Sequence, residues 1–254
     1  MRPPLGLPGL FVAGTDTDVG KTHVAAAIAR SLVALGRRVG VYKPVASGFP
    51  SAAAEGSDAW RLWDAAGRPL TPDSVCPQAF AAAVAPHRSA AAEGSLVDER
   101  LLRTGLDAWL PVSDVVLVEA AGGLYSPMGD STLAVDLARD FRFPVVIVDA
   151  ARLGAVGRSL ATVRAAVADG LSVAAVVLSH TTPVTADAKL TSRLRIALDS
   201  VDDLKKRLPG IPVVILDHGA TLLPAGTDWP AARAGATRSP PREGCGPIPP
   251  PSPS

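Results

Sequence analysis

Gly14-Thr15-Asp16-Thr17-Asp18-Val19-Gly20-Lys21-Thr22 joins an apolar run, Leu10 to Ala13, to an alanine-rich stretch that stops at Gly36. The run before it reads as a buried strand and the stretch after it as a helix. A glycine loop in that setting turns backbone N–H groups toward a chain of phosphates at a helix N-terminus. Lys21 would neutralise phosphate charge and Thr22 would offer a hydroxyl to Mg²⁺. Gly14 and Gly20 stand six apart, one residue wider than the common spacing. A glycine-capped turn with a chance Gly-Lys-Thr is the plainer alternative, but the strand before and the helix after favour the phosphate loop.

Working outward, apolar strands alternate with helical stretches. Strands are expected at Arg38 to Lys43, Asp114 to Glu119, Val145 to Asp149, Val173 to Leu178 and Val213 to Leu216. Helices are expected at Asp58 to Ala66, Leu96 to Leu110, Thr132 to Phe141, Leu153 to Ala168 and Ala186 to Arg207. Ser57 and Asp58 are capping candidates. Continuous Val/Ile/Leu strands between helices predict an α/β fold: a doubly wound, mostly parallel sheet with helices on both faces, P-loop NTPase-like, in three α/β/α layers.

With 254 residues, 48% of them apolar, one substantial domain is expected over residues 1–230. Residues 231–254 change to Gly, Ala, Arg and Pro and read as a disordered tail. The net charge of +1 and the lack of a basic stripe argue against a nucleic-acid partner. The segment from Met1 to Pro8 has no apolar core of a leader, and no apolar run approaches the ~20 residues that span a bilayer. Cys76 and Cys245 stand far apart without metal-type spacing, and Cys76 reads as a buried, inert thiol. A reduced, cytoplasmic protein with no membrane partner is expected.

In open parallel sheets, ligands lie at the carboxyl ends of strands, and the polar residues fall there. Glu119 closes the run Val115 to Val118 and is followed by Ala120-Ala121-Gly122-Gly123. A carboxylate there could hold Mg²⁺ opposite Thr22, or merely cap a loop. Lys43, held by Pro44, either points a fixed cation into the crevice or is a solvated surface lysine. Asp58 by itself reads as a helix N-terminal acid. Tyr125, Pro127 and Met128 read mainly as loop packing. His23, His87, His180 and His218 show no metal-ligand spacing, although His23 adjoins the phosphate loop.

Three segments together, Gly14 to Thr22, Tyr42-Lys43-Pro44-Val45-Ala46-Ser47-Gly48 and Val118-Glu119-Ala120-Ala121-Gly122-Gly123, resemble the signature set of the dethiobiotin synthetase family, whose phosphate loop has the six-residue glycine spacing. The resemblance covers roughly residues 9 to 180. It implies an enzyme of biotin biosynthesis that uses ATP and Mg²⁺ to carboxylate 7,8-diaminononanoate with CO₂ or bicarbonate and close a ureido ring. It implies catalytic roles for Lys43 and Lys21. It implies nucleotide contacts from Asp18, Val19, Gly20, Lys21, Thr22, His23, Asp58, Glu119, Ala120, Ala121, Gly122, Ser179 and His180. Thr17, Ser47 and Lys43 fall on substrate positions, and Thr22, Asp58 and Glu119 on metal-ligand positions. A homodimer is implied as well.

The chain departs from the family pattern in three places. Ala120 replaces a glycine, which would strain the loop if φ > 0 were required there. Ser179-His180 replaces an Asn-Asp pair that reads adenine, and a serine cannot match an amide's paired donor and acceptor. Arg158 stands in Leu153-Gly154-Ala155-Val156-Gly157-Arg158, where the family's segment for the substrate carboxylate differs. The last nucleotide-contacting loop is expected near Leu216 to Leu223. The competing reading is a partition or septum-positioning switch ATPase, which would carry a signature lysine where this chain has Thr15 and Asp16.

Overall fold

The computed structural model describes residues 7–183, 188–224 and 227, with backbone only for 188–193. The expected tail over 231–254 lies outside the described residues, as does part of the expected domain. Six strands form one sheet: β1 (Gly9–Gly14), β2 (Val39–Tyr42), β5 (Val115–Gly123), β6 (Val145–Ala150), β7 (Val173–Ser179) and β8 (Val213–Leu216), in the order β2-β5-β1-β6-β7-β8. Every neighbouring pair is parallel. β1, β2 and β6 are buried at every position, which is why they read as unbroken apolar runs rather than as an alternation.

Crossover helices cover the sheet. α1 (Lys21–Ala34) packs on β1, β2, β5 and β6, and against α2 (Asp58–Ala65). α6 (Ala134–Phe141) packs on β5, α7 (Ala155–Ala168) on β6 and β7, and α8 (Ala188–Arg207) on β8 and α7. Phe141 is 1% exposed at the end of α6 and meets the rings of Phe11, Tyr42 and Phe143 at centroid distances of 6.5, 6.4 and 6.3 Å. Burying one such ring contributes about 1.5–3 kcal/mol.

The winding places the site. β1→α1→β2 goes to one side of β1, and β5→α6→β6 crosses to the other. The crevice at that reversal opens beyond the carboxyl ends of β1, β5 and β6. The register sets Val12 opposite Glu119, so β5 delivers its carboxylate beside the chain that enters the phosphate loop.

Several elements differ from expectation. β5 runs past Glu119 to Gly123. The expected helix at Leu96 to Leu110 is broken into a one-turn α5 (Leu101–Thr104) and a 3₁₀ turn (Gly105–Trp109). Two contacts explain this. Asp98 Oδ1 accepts the N–H groups of Arg100 and Leu101 at 2.9 Å, so the helical turn starts late. Tyr42 Oη packs into this turn, 2.8 and 3.1 Å from the carbonyl oxygens of Leu101 and Leu102, where Leu101 O also accepts the closing Gly105 N–H. A β-carbon on Gly105 would lie 2.5 Å from that Oη, so the close approach requires glycine.

Short elements with too few residues for a periodic signal complete the fold: α3 (Pro72–Val75), α4 (Pro86–Ala92) and a two-stranded ribbon of β3 (Ala46–Ser47) with β4 (Ala79–Phe80).

Candidate active site

The phosphate loop leaves β1 at Gly14 and closes on α1 at Gly20, with Thr15 N donating to Val148 O at 2.9 Å on β6. Gly20 caps the helix at φ 93°, in the left-handed region that favours glycine. A β-carbon there would also lie 2.5 Å from Ser179 Oγ. Asp18 adopts φ 55°, which a short polar residue tolerates. Lys21 is 8% exposed, and its Nζ donates to Asp16 O at 3.2 Å, back across the loop. Burial, then the charge of Lys43, lowers its pKa.

Beneath the loop lies an ionic cluster. β2 ends at Tyr42, so Lys43 follows immediately, and its N–H donates to Val75 O at 2.8 Å. Pro44 permits no helical continuation. Lys43 is 3% exposed and Glu119 1%. Lys43 Nζ donates to Glu119 Oε1 at 2.5 Å and lies 2.7 Å from Asp58 Oδ2. Thr22 Oγ1 donates to the same Glu119 Oε1 at 2.8 Å. Ser57 is the N-cap of α2, its Oγ accepting Trp60 N–H at 3.1 Å, and this fixes Asp58 in the first turn.

The charges hold one another. Lys43 pulls the Asp58 carboxyl down to about 2, against burial. Burial pulls the Lys43 ammonium down, but Asp58 and Glu119 outweigh it and the net direction is up. Burial pushes Glu119 up, opposed by Lys43. Lys43 is therefore a buried, paired cation rather than a solvated surface lysine.

A cavity of about 900 Å³ opens over this cluster. Thr17, Asp18, Gly20, Lys21, Thr22, His23, Lys43, Ser47, Asp58, Ala121, Gly122, Ser179 and His180 all line it. Val19, Glu119 and Ala120 lie behind that lining, each buried to within 1%. Ala120 is absent from the positive-φ residues and continues β5, so the alanine introduces no backbone strain. Arg158 turns inward, its Nε 3.1 Å from both oxygens of the fully buried Asp149. Met128 is core and Tyr125 bonds to Asp169, while Pro127 reaches the cavity. Cys76 is a buried free thiol pushed up to about 12 by burial.

The cavity also recruits groups without a side-chain signature. Ala83 to Pro86 form one wall, with Ser47 Oγ donating to Val84 O at 2.6 Å. Arg30 and Arg61 stand along α1 and α2. His218, Gly219, Ala220 and Thr221, after β8, form the opposite wall, inside the range expected for the last loop.

The residues suit a divalent cation. Glu119 Oε2 is buried and, among the described residues, accepts no hydrogen bond. Two carboxylates and a hydroxyl are hard oxygen donors of the kind Mg²⁺ takes, with phosphate and water completing its shell. Among the described residues no three His, Cys, Asp or Glu side chains form a metal cluster by themselves.

A sequence profile described as "AAA domain" matches residues 8–214. A protein of Rhodopirellula baltica named ATP-dependent dethiobiotin synthetase BioD is 46% identical over 184 residues, covering 67% of this chain and 72% of the relative. The chain belongs to the dethiobiotin synthetase family.

Family members of the same name in Caulobacter vibrioides and Bacillus cereus (strain B4264) are 41% and 37% identical over 176 and 173 residues, covering 68% of this chain and 80% and 71% of their own. Two solved structures match too weakly to carry an argument. One is ParA of pNOB8 bound to nonspecific DNA (TM-score 0.44, 13% identity, 90% of each chain). The other is the receptor FtsY of Elizabethkingia anophelis (0.45, 15%, 85% of this chain and 59% of that one). No helix among the described residues is long and apolar enough to cross a membrane.

Proposed function

We propose that the protein is an ATP-dependent dethiobiotin synthetase. It would carboxylate 7,8-diaminononanoate with CO₂, phosphorylate the carbamate from ATP, and release phosphate as the second amine closes the ureido ring. The observation that carries this reading is Lys43: a buried cation at a strand end, facing the same cavity as the phosphate loop and paired with both carboxylates, Asp58 and Glu119, among the three candidate metal ligands.

In this reading Lys21 neutralises the β- and γ-phosphates while the loop N–H groups from Asp18 to His23 cradle them. Lys43 holds the carbamate and the γ-phosphoryl group together and offsets the charge that develops between them. Thr17 and Ser47 orient the diamine. Thr22, Asp58 and Glu119 hold Mg²⁺, which when bound neutralises phosphate charge. Burial keeps the Lys43 and Glu119 charges away from bulk water, where their fields would be screened. The overall reaction balances as diamine plus CO₂ plus ATP giving dethiobiotin, ADP, phosphate and protons, because the carbamate oxygen lost at ring closure leaves on the phosphate and no free water forms. We assign the activity to a homodimer in the cytoplasm, with the catalytic domain over residues 1–230.

The test is phosphate release by the purified protein with ATP, Mg²⁺ and bicarbonate, with and without 7,8-diaminononanoate. Release that depends on the diamine, with dethiobiotin seen by mass spectrometry, is the expected result. Diamine-independent hydrolysis would replace this reading with a switch ATPase.

A further inference from the structure

His23 is the third residue of α1 and follows Thr22 directly. Its resemblance-based role is to line the phosphates, yet its ring is engaged elsewhere. His23 Nε2 lies 2.9 Å from Ala220 O, in the loop after β8. A carbonyl only accepts, so Nε2 carries the proton and Nδ1 faces Ser179 Oγ, 3.5 Å away, as an acceptor when the ring is neutral. Further along the same helix, Ser31 Oγ accepts Leu223 N–H at 3.0 Å. Thus α1 pins the loop at two points. The loop is largely exposed from Asp217 to Leu222, and its internal support is a turn in which Ala220 N donates to Asp217 O at 3.1 Å.

The sheet order says which part of a ligand this loop meets. The phosphate loop follows central β1. Lys43 and Ser47 lie on the β2 side, where the phosphoryl acceptor would sit. The β7–β8 side is left for the rest of a nucleotide, and Ser179, His180, Thr181 and the 218–221 loop form the cavity there.

We infer that His23 is a positioning residue: through its Nε2–H bond to Ala220 O it holds the 217–223 loop as a cavity wall and so sets affinity for the nucleoside part of a nucleotide, not for its phosphates. This rests on the nucleotide-binding reading above. The backbone N–H of His23 remains available to phosphate. The ring ties the two ends of the ligand site through one residue.

Calorimetric titration of the full-length protein with ATP and with inorganic tripolyphosphate, both with Mg²⁺, separates the two roles. His23→Leu is expected to weaken ATP about tenfold while tripolyphosphate stays within about twofold, the scale of one lost hydrogen bond and its ordering effect. His23→Gln, whose amide N–H can reach the same carbonyl, is expected to recover most of the loss. Ser31→Ala removes the second pin and is expected to weaken ATP about threefold, again sparing tripolyphosphate. It carries the comparison if His23→Leu does not fold. Equal losses for both ligands would assign His23 to the phosphates and overturn the inference, as would unchanged ATP binding in His23→Leu and Ser31→Ala. A wild-type protein that binds neither ligand would instead remove the nucleotide reading and this inference with it. Wild-type binding of both ligands keeps that reading whatever the variants do.

Discussion

Lys43 Nζ lies 2.5 Å from Glu119 Oε1, and both side chains are almost wholly removed from solvent. Removing the lysine leaves a buried carboxylate without its cation, which typically costs about 3–5 kcal/mol. Lys43→Ala is therefore expected to lower the melting temperature as well as activity. If Lys43 acts on the transferring group, kcat falls by about 100-fold or more while ATP affinity by calorimetry stays within about threefold. Nearly unchanged turnover would remove Lys43 from the reaction.

Thr22 and Glu119 share one hydrogen bond, and Glu119 Oε2 accepts none among the described residues. Thr22→Ala and Glu119→Gln are each expected to raise the Mg²⁺ concentration for half-maximal activity by about tenfold or more, since even groups that only orient metal ligands have effects of that size. An unchanged Mg²⁺ titration would argue against ligation.

Gly20→Ala combines two penalties, a left-handed backbone and a β-carbon 2.5 Å from Ser179 Oγ. The backbone alone costs about 1–2 kcal/mol. At this chain length that lowers the melting temperature by about 2–8 °C. The double variant Gly20→Ala/Ser179→Gly relieves the contact and leaves the backbone cost. If it melts no higher than the single variant, the contact has no energetic weight.

Glu99 supports the segment that leads into α6. Its carboxylate accepts Ser131 N–H at 2.6 Å, Ser131 Oγ at 2.5 Å and Thr132 Oγ1 at 2.7 Å. Burial raises its pKa, but these bonds prevail and hold it at about 2. A carboxyl whose folded pKa lies below its unfolded value, about 4.3, adds stability above that value and loses it as pH falls toward the folded one. Glu99→Gln is expected to melt lower than wild type at pH 7, with the gap closing between about pH 4.3 and about 2. A gap that is constant with pH would mean the carboxylate charge plays no part.

Legibility of the sequence followed the kind of force involved. Buried parallel strands advertise themselves because both faces are apolar, as at Val115 to Val118 and Val145 to Val148. The glycine loop advertises itself because its backbone shape demands glycine at Gly20. Lys43, Asp58 and Glu119 stand apart in the chain, and the register of β2 with β5, which sets Tyr42 opposite Val118, and the cap at Ser57 bring them together. The break at Leu96 to Leu110 was hidden because it joins a local Asp98 contact to the packing of Tyr42, which lies about sixty residues away in sequence. The wall at 83–86 had no side-chain signature to read, and the wall at 218–221 was expected only as a range, Leu216 to Leu223, from the family resemblance.

Lys21, Lys43, Asp58 and Glu119 form a floor of two cations and two anions, which cancel. Beyond this balanced floor, a polyphosphate meets the loop amides and, along the cavity wall, Arg30 and Arg61. One that arrives already complexed to a divalent cation brings its own neutralisation and offers the two carboxylates a partner.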